Sequence, residues 1–91
     1  MKKIYKYQLK LTDSQSVFLP VGYKILSAQL QAGQLCMWAM IDPYIADMVP
    51  VEIKVFGTGH EIESNCGDFI DTFQLNNGGL VFHVFALGVA L

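Results

Sequence analysis

The residues of this sequence whose types and spacing could do chemistry fall in a few places, and the most pointed is Gly57-Thr58-Gly59-His60. A strand that opens into alternating glycines can turn backbone N–H groups toward an anion, with the Thr58 hydroxyl as a further donor. The segment is neither a P-loop nor a dinucleotide-binding turn, because the Lys-Ser/Thr pair is missing and no helix is expected to follow. Equally, the glycines can serve a tight turn or β-bulge that only relieves backbone strain, and His60 then faces a ligand or caps the loop. His83 lies between Val81 and Phe85 on one strand face, the setting of a satisfied core or interface histidine. Paired with Glu61 or Glu63 it could act as a base, but no serine or cysteine is set as its nucleophile. Cys36 and Cys66 form no CxxC and no His/Cys cluster, so neither a zinc site nor a disulfide framework is indicated. Two histidines are too few for a hydrolytic metal site without an identified set of carboxylates. The expectation is a binding protein without catalytic residues, metal or cofactor.

Stacking and charge are better supplied. Trp38 is the sole tryptophan, and Tyr5, Tyr7, Tyr23 and Tyr44 add amphipathic rings; such rings suit base stacking, subunit interfaces and cores alike. All six cationic residues are lysines, and Lys2, Lys3, Lys6, Lys10 and Lys24 lie near the amino terminus. That bias marks an anion-facing surface or a solvated edge strand that resists aggregation. A net charge of −2 and the lack of arginine argue against a nucleic-acid polymer as ligand.

The elements that must position these residues read as strands. Tyr5, Tyr7, Leu9 and Leu11 alternate with Lys6, Gln8 and Lys10, giving a half-buried strand over 3–11. Thr12 to Gln15 reads as a turn, Val17 to Leu19 as a short strand ended by Pro20, and 24–31 as a strand with Leu26, Ala28 and Leu30 on one face. Ala32-Gly33-Gln34 turns the chain into 35–41, making a hairpin. That second arm is apolar on both faces, as is 80–87 apart from His83, which implies burial on both sides of the sheet. Tyr44 to Pro50 reads as a loop, Val51 to Val55 as a strand, and 61–67 as a polar loop with an exposed Cys66. Asn76-Asn77-Gly78-Gly79 joins 69–75 to 80–87 as a second hairpin. The fold class is therefore all-β: one domain over 1–91, an antiparallel twisted sheet or small sandwich of about seven short strands.

Ninety-one residues bury only roughly 60–65% of the unfolded chain's surface, and small domains usually need a staple. The chain is 53% hydrophobic and 15% charged, against about 25% charged in an average protein. With no disulfide or metal in view, a partner subunit is the expected cover, giving a homo-oligomer, dimer or tetramer. No apolar run approaches the ~20 residues of a membrane-spanning helix, and the lysine-rich start lacks the apolar block of a signal peptide. The cytosol is the expected location, without membrane contact.

Ile4-Tyr5-Lys6-Tyr7, Lys24-Ile25-Leu26-Ser27, Leu35-Cys36-Met37-Trp38-Ala39, Phe56-Gly57-Thr58-Gly59-His60 and Gly79-Leu80-Val81-Phe82-His83-Val84-Phe85 together resemble a family of small proteins, mostly from phages and bacteria, catalogued as a domain of unknown function. Phage proteins of this size and β character in turn resemble viral sponges, which sequester the cyclic nucleotide signals of bacterial immunity. The resemblance implies a phage-encoded anti-defence protein that binds a cyclic dinucleotide such as 3′3′-cGAMP without cleaving it, in the host cytosol. Tyr5, Tyr7 and Trp38 would stack the bases, and Lys3, Lys6, Thr58, Gly59 and His60 would meet the phosphates. The lack of arginine departs from the usual phosphate chemistry, although lysine serves as a point charge. The competing expectation is a protein–protein module, an inhibitor or accessory subunit that docks on a host or virion protein.

Overall fold

Both hairpin signals in the sequence become hairpins. Ala32 and Gly33 hold φ of 50° and 79°, the pair of positive values that a two-residue type I′ turn needs, and Gln31 lies opposite Gln34. Asn76, Asn77 and Gly78 take φ of 53°, 54° and 88° and close the second hairpin, with Leu75 opposite Leu80. The structure, a computed structural model, describes residues 1–88. Its seven strands are β1 (Lys3–Gln8), β2 (Ser14–Pro20), β3 (Lys24–Gln31), β4 (Gln34–Ile41), β5 (Met48–Gly57), β6 (Asp68–Leu75) and β7 (Leu80–Gly88).

They form two antiparallel sheets, one ordered β1-β4-β3 and the other β2-β5-β7-β6. The all-β expectation holds, with the sandwich its correct form. Leu35 and Met37 of β4 and Ala28 of β3 meet Val51, Ile53 and Val55 of β5, Phe73 of β6 and Val84 and Ala86 of β7 in one buried core. Stabilisation comes from that shared apolar interior, at about 25 cal/mol per Å² of apolar surface removed from water.

The sheets also meet at one edge, β3 beside β6, without a backbone ladder between them. The Asp71 carboxylate accepts from the Ala28 N–H at 3.3 Å, and the Gln29 amide donates to the Thr72 carbonyl at 3.3 Å. Each edge strand bulges at this seam, between Ile25 and Ser27 in β3 and between Phe69 and Asp71 in β6. A bulge bends its strand and sharpens the local twist, which lets two edges converge without pairing.

Several expected features shift. β2 starts at Ser14, so the turn before it ends at Asp13, and β1 stops at Gln8, leaving Leu11 exposed. β5 starts at Met48 and contains Pro50, which was expected to lie in a loop. Proline is tolerated in the ladder with β2 because Pro50 lies opposite Phe18 between the positions that bond to that strand, as Val55 does to Asp13 and Asp47 to Val21, so its missing N–H costs no bond in that ladder. The bulge removes Leu26 from the face it would share with Ala28 and leaves it 42% exposed. Only one face of each of β4 and β7 meets the core: Leu35, Met37, Ala39 and Ile41 of β4 and Val84 and Ala86 of β7 are buried, whereas Trp38, Met40, His83 and Phe85 on the other face are half-buried. Cys36 is the exception at 1% exposure. Its cover is a hydrogen bond from Lys6 Nζ to Gln31 Oε1 at 2.8 Å, which crosses β4 diagonally above it. Cys66 is half-buried, its thiol directed at the Gly67 carbonyl at 3.7 Å.

On the outside of the second sheet, Ser14 and Ser16 of β2 both donate to the Glu52 carboxylate at 2.9 Å. The hydrogen bonds from Ser16 and Ser14, with Lys54 adding, hold that carboxyl below the usual glutamate range. A depressed folded pKa contributes stability that is present above the unfolded value and is lost as pH falls through the folded one. Carboxyl-detected NMR titration should give Glu52 a midpoint below that of a free glutamate, and S14A/S16A should move it back toward the ordinary value.

Candidate ligand-binding face

The eight residues singled out for ligand binding fall in three places. Lys3, Tyr5 and Tyr7 share one side of β1, opposite Ile41, Ala39 and Met37 of β4. This is the core side: Tyr7 packs against the core, and burial, with a smaller push from the Tyr5 phenol, raises its hydroxyl above the usual tyrosine range. Tyr5 stays partly exposed at the rim. Lys6 and Trp38 project from the other side of the same sheet, directly opposite each other. Thr58, Gly59 and His60 lie beyond β5 in the second sheet.

That last group forms a turn. The His60 N–H donates to the Gly57 carbonyl at 3.1 Å and the Thr58 N–H to the Val81 carbonyl at 3.2 Å, and Gly59 supplies φ of +88°, as the third position of a type II turn requires. Those two N–H groups are therefore spent on backbone carbonyls, one within the turn and one on β7. The Thr58 hydroxyl is 2.7 Å from His83 Nε2, and the Thr72 hydroxyl is 2.9 Å from His83 Nδ1. A neutral imidazole has one donor and one acceptor nitrogen, and both are partnered here. His60 lies against Gly57, where an added Cβ would stand 2.8 Å from its ring. The adjoining groove of about 350 Å³ is lined by Asp13, Glu61, Glu63 and Lys54, and Lys54 is bridged to Glu63 at 3.0 Å. Acidic groups outnumber free cations there, so this corner is poorly suited to an anion.

The outer face of β1-β4-β3 has the opposite character. Trp38, on the central strand, sits between Lys6 on β1 and Ser27 on β3, and the next outward pair along β4 is Met40 between Ile4 and Lys24. Gln8 and Gln29 flank Cys36 on the same face. No strand of this sheet contains an aspartate or glutamate. Lys6 uses one of its three donors on Gln31, leaving two for a ligand. The face is open sheet, and its means are one aromatic ring, two lysines, the glutamine amides and the Ser27 hydroxyl. Lys24 and Ser27 were not among the residues singled out from sequence. Ser27 is found by counting back from the Ala32-Gly33 turn; Lys24 joins the face only through the Leu26 bulge, which shifts the strand by one residue.

A family model described as a domain of unknown function, DUF7352, matches residues 1–90. The chain belongs to this family. No curated protein and no solved structure matches it. The assignment brings the DUF7352 chain no residue roles, so its chemistry has to be argued from its own surface. Among its described residues, no three His, Cys, Asp or Glu side chains gather where they could hold a metal ion, and no helix is long and apolar enough to cross a membrane.

Proposed function

We propose that this protein binds and sequesters a small anionic nucleotide on the outer face of β1-β4-β3, without cleaving it. The observation that carries this reading is Trp38 set in register between Lys6 and Ser27, beside Lys24, on a sheet without a carboxylate. An aromatic platform contributes about 1–3 kcal/mol per stacked base, and the two ammonium groups meet phosphates as point charges. A cyclic dinucleotide such as 3′3′-cGAMP, the signal of an antiphage response, fits this combination of flat bases and paired phosphates, and the carrier would be a phage-encoded anti-defence protein in the host cytosol. Supporting a non-catalytic role, His83 has both ring nitrogens bonded to threonine hydroxyls, so it has no lone pair to lend a substrate. Tyr5 and the 58–60 turn lie away from the Trp38 face and take no part in this reading.

A second reading has its own observation. On the outside of the other sheet, Phe56 and Phe69 each pack edge-to-face on Phe85, at 5.7 and 5.6 Å between ring centres. Phe69 is 57% and the adjacent Ile62 49% exposed, which suits a module that docks on a host or virion protein.

Thermal unfolding against cyclic dinucleotides, cyclic trinucleotides and cyclic ADP-ribose isomers separates the two. A ligand at one hundred times its Kd adds about 2.7 kcal/mol, a rise on the order of 10 °C for a domain of this size. One nucleotide should give that rise and be recovered intact by chromatography, and K6A/K24A should abolish it. A flat response across the panel, with a macromolecule captured instead, would replace the nucleotide reading with the docking one.

A further inference from the structure

We infer that the free edge of β2 is a self-pairing surface, on which a second copy of this chain adds its own β2 antiparallel about a two-fold axis. Four strands stand at sheet edges: β1, β3, β2 and β6. An edge presents unpaired N–H and C=O groups, and proteins blunt it with lysines, bulges, proline or a covering element. β3 and β6 are bulged and lie against each other. β1 carries Lys3 and Lys6. β2, with the sequence Ser14-Gln15-Ser16-Val17-Phe18-Leu19-Pro20, has no charged residue, and its register with β5 runs without a bulge.

The outward groups can be named. The Asp13 carbonyl accepts from the Val55 N–H at 3.0 Å, and the Val21 N–H donates to the Asp47 carbonyl at 2.9 Å. Odd-numbered residues of β2 therefore turn their backbone toward β5, and Ser14, Ser16 and Phe18 turn theirs away, since the direction alternates along a strand. Pro20, whose missing N–H would also point outward, marks where the edge stops. The Ser14 and Ser16 hydroxyls are held by Glu52, so they do not turn back to satisfy these backbone groups. Exposed apolar side chains follow the same line: Leu11 before the strand, Phe18 within it at 59%, and Val21 and Met48 at its end.

A second copy is the occupant that this chemistry selects. An uncharged strand meets itself without like-charge repulsion, whereas β1 paired with β1 would oppose lysines. Two-fold pairing also closes the assembly as a dimer and joins the two four-stranded sheets into one, leaving both Trp38 faces free.

Sedimentation velocity on the full chain and three variants tests this, with circular dichroism to verify folding. Ser16→Pro removes an outward N–H that no ladder bond uses, and Phe18→Lys installs an edge lysine at an exposed position. Ile4→Pro makes the equivalent change on the outward side of β1. The expected result is a dimeric parent and I4P, with S16P and F18K folded and monomeric; should S16P fail to fold, F18K alone decides. A monomeric parent, a dimer that survives F18K, or a dimer lost in I4P and kept in F18K would overturn the assignment.

Discussion

Gly67→Ala is expected to lower the melting temperature by more than about 10 °C, although it adds a single methyl group at a half-buried loop position. Gly67 holds φ of +88°, and a Cβ there would run into the Ala86 carbonyl oxygen and stand 2.6 Å from its carbon and 2.8 Å from the Leu87 Cα. All three are backbone atoms of β7, paired with β6 through Asp68 opposite Ala86, so no side-chain rotation relieves the contact. The left-handed conformation costs an L-residue roughly 1–2 kcal/mol and forced overpacking about 1–3 kcal/mol more. Gly22→Ala is the internal control, because Gly22 has φ of +85° with nothing within 4 Å of the added carbon. Calorimetry should show G22A losing only the conformational part. Equal losses in the two variants would mean that the approach of Gly67 to β7 carries no weight.

Phe73→Ala should cost about 3–5 kcal/mol, the range for emptying a buried aromatic site. Phe73 is 2% exposed and stacks on Phe82 across the β6–β7 pair, with ring centres 5.5 Å apart and planes at 28°. It follows the seam where Asp71 and Thr72 hold β6 against β3, so the cavity opens beside the edge where the two sheets meet. Domains of this size hold roughly 5–10 kcal/mol in all, and F73A should leave little of it. Phe73→Leu, which keeps most of the volume, should cost less than about 1.5 kcal/mol. Urea unfolding reads both as shifts of midpoint at constant slope; a loss below about 1 kcal/mol for F73A would place the core elsewhere.

How much of this the sequence discloses depends on the kind of signal each element leaves. Alternation in β1, β3 and β5 and the turn residues at 32–33 and 76–79 are local, and they mark strands and hairpins directly. Bulges are not: Leu26 and Ile70 are ordinary strand residues, and only the pairing shows that each is the extra one. The same limit hid Lys24, which without the bulge would lie opposite Ile41 on the core face. Trp38 and Met40 looked twice-buried because composition does not say whether an apolar outer face is covered. The 57–60 loop was open to two readings because glycines at that spacing serve either an anion or a turn, and only the acceptors of its N–H groups choose. The separation of Tyr5 and Tyr7 from Lys6, by contrast, was already present in the alternation of β1.

Trp38 is the only tryptophan, so its emission reports directly on the proposed binding face. Titration with 3′3′-cGAMP at low ionic strength should quench that fluorescence saturably, with K6A and K24A each weakening the apparent Kd about tenfold, some 1.4 kcal/mol per lost ion pair. Emission that stays unchanged while the nucleotide binds, or binding that is indifferent to both lysine substitutions, would contradict the assignment of the nucleotide to this face.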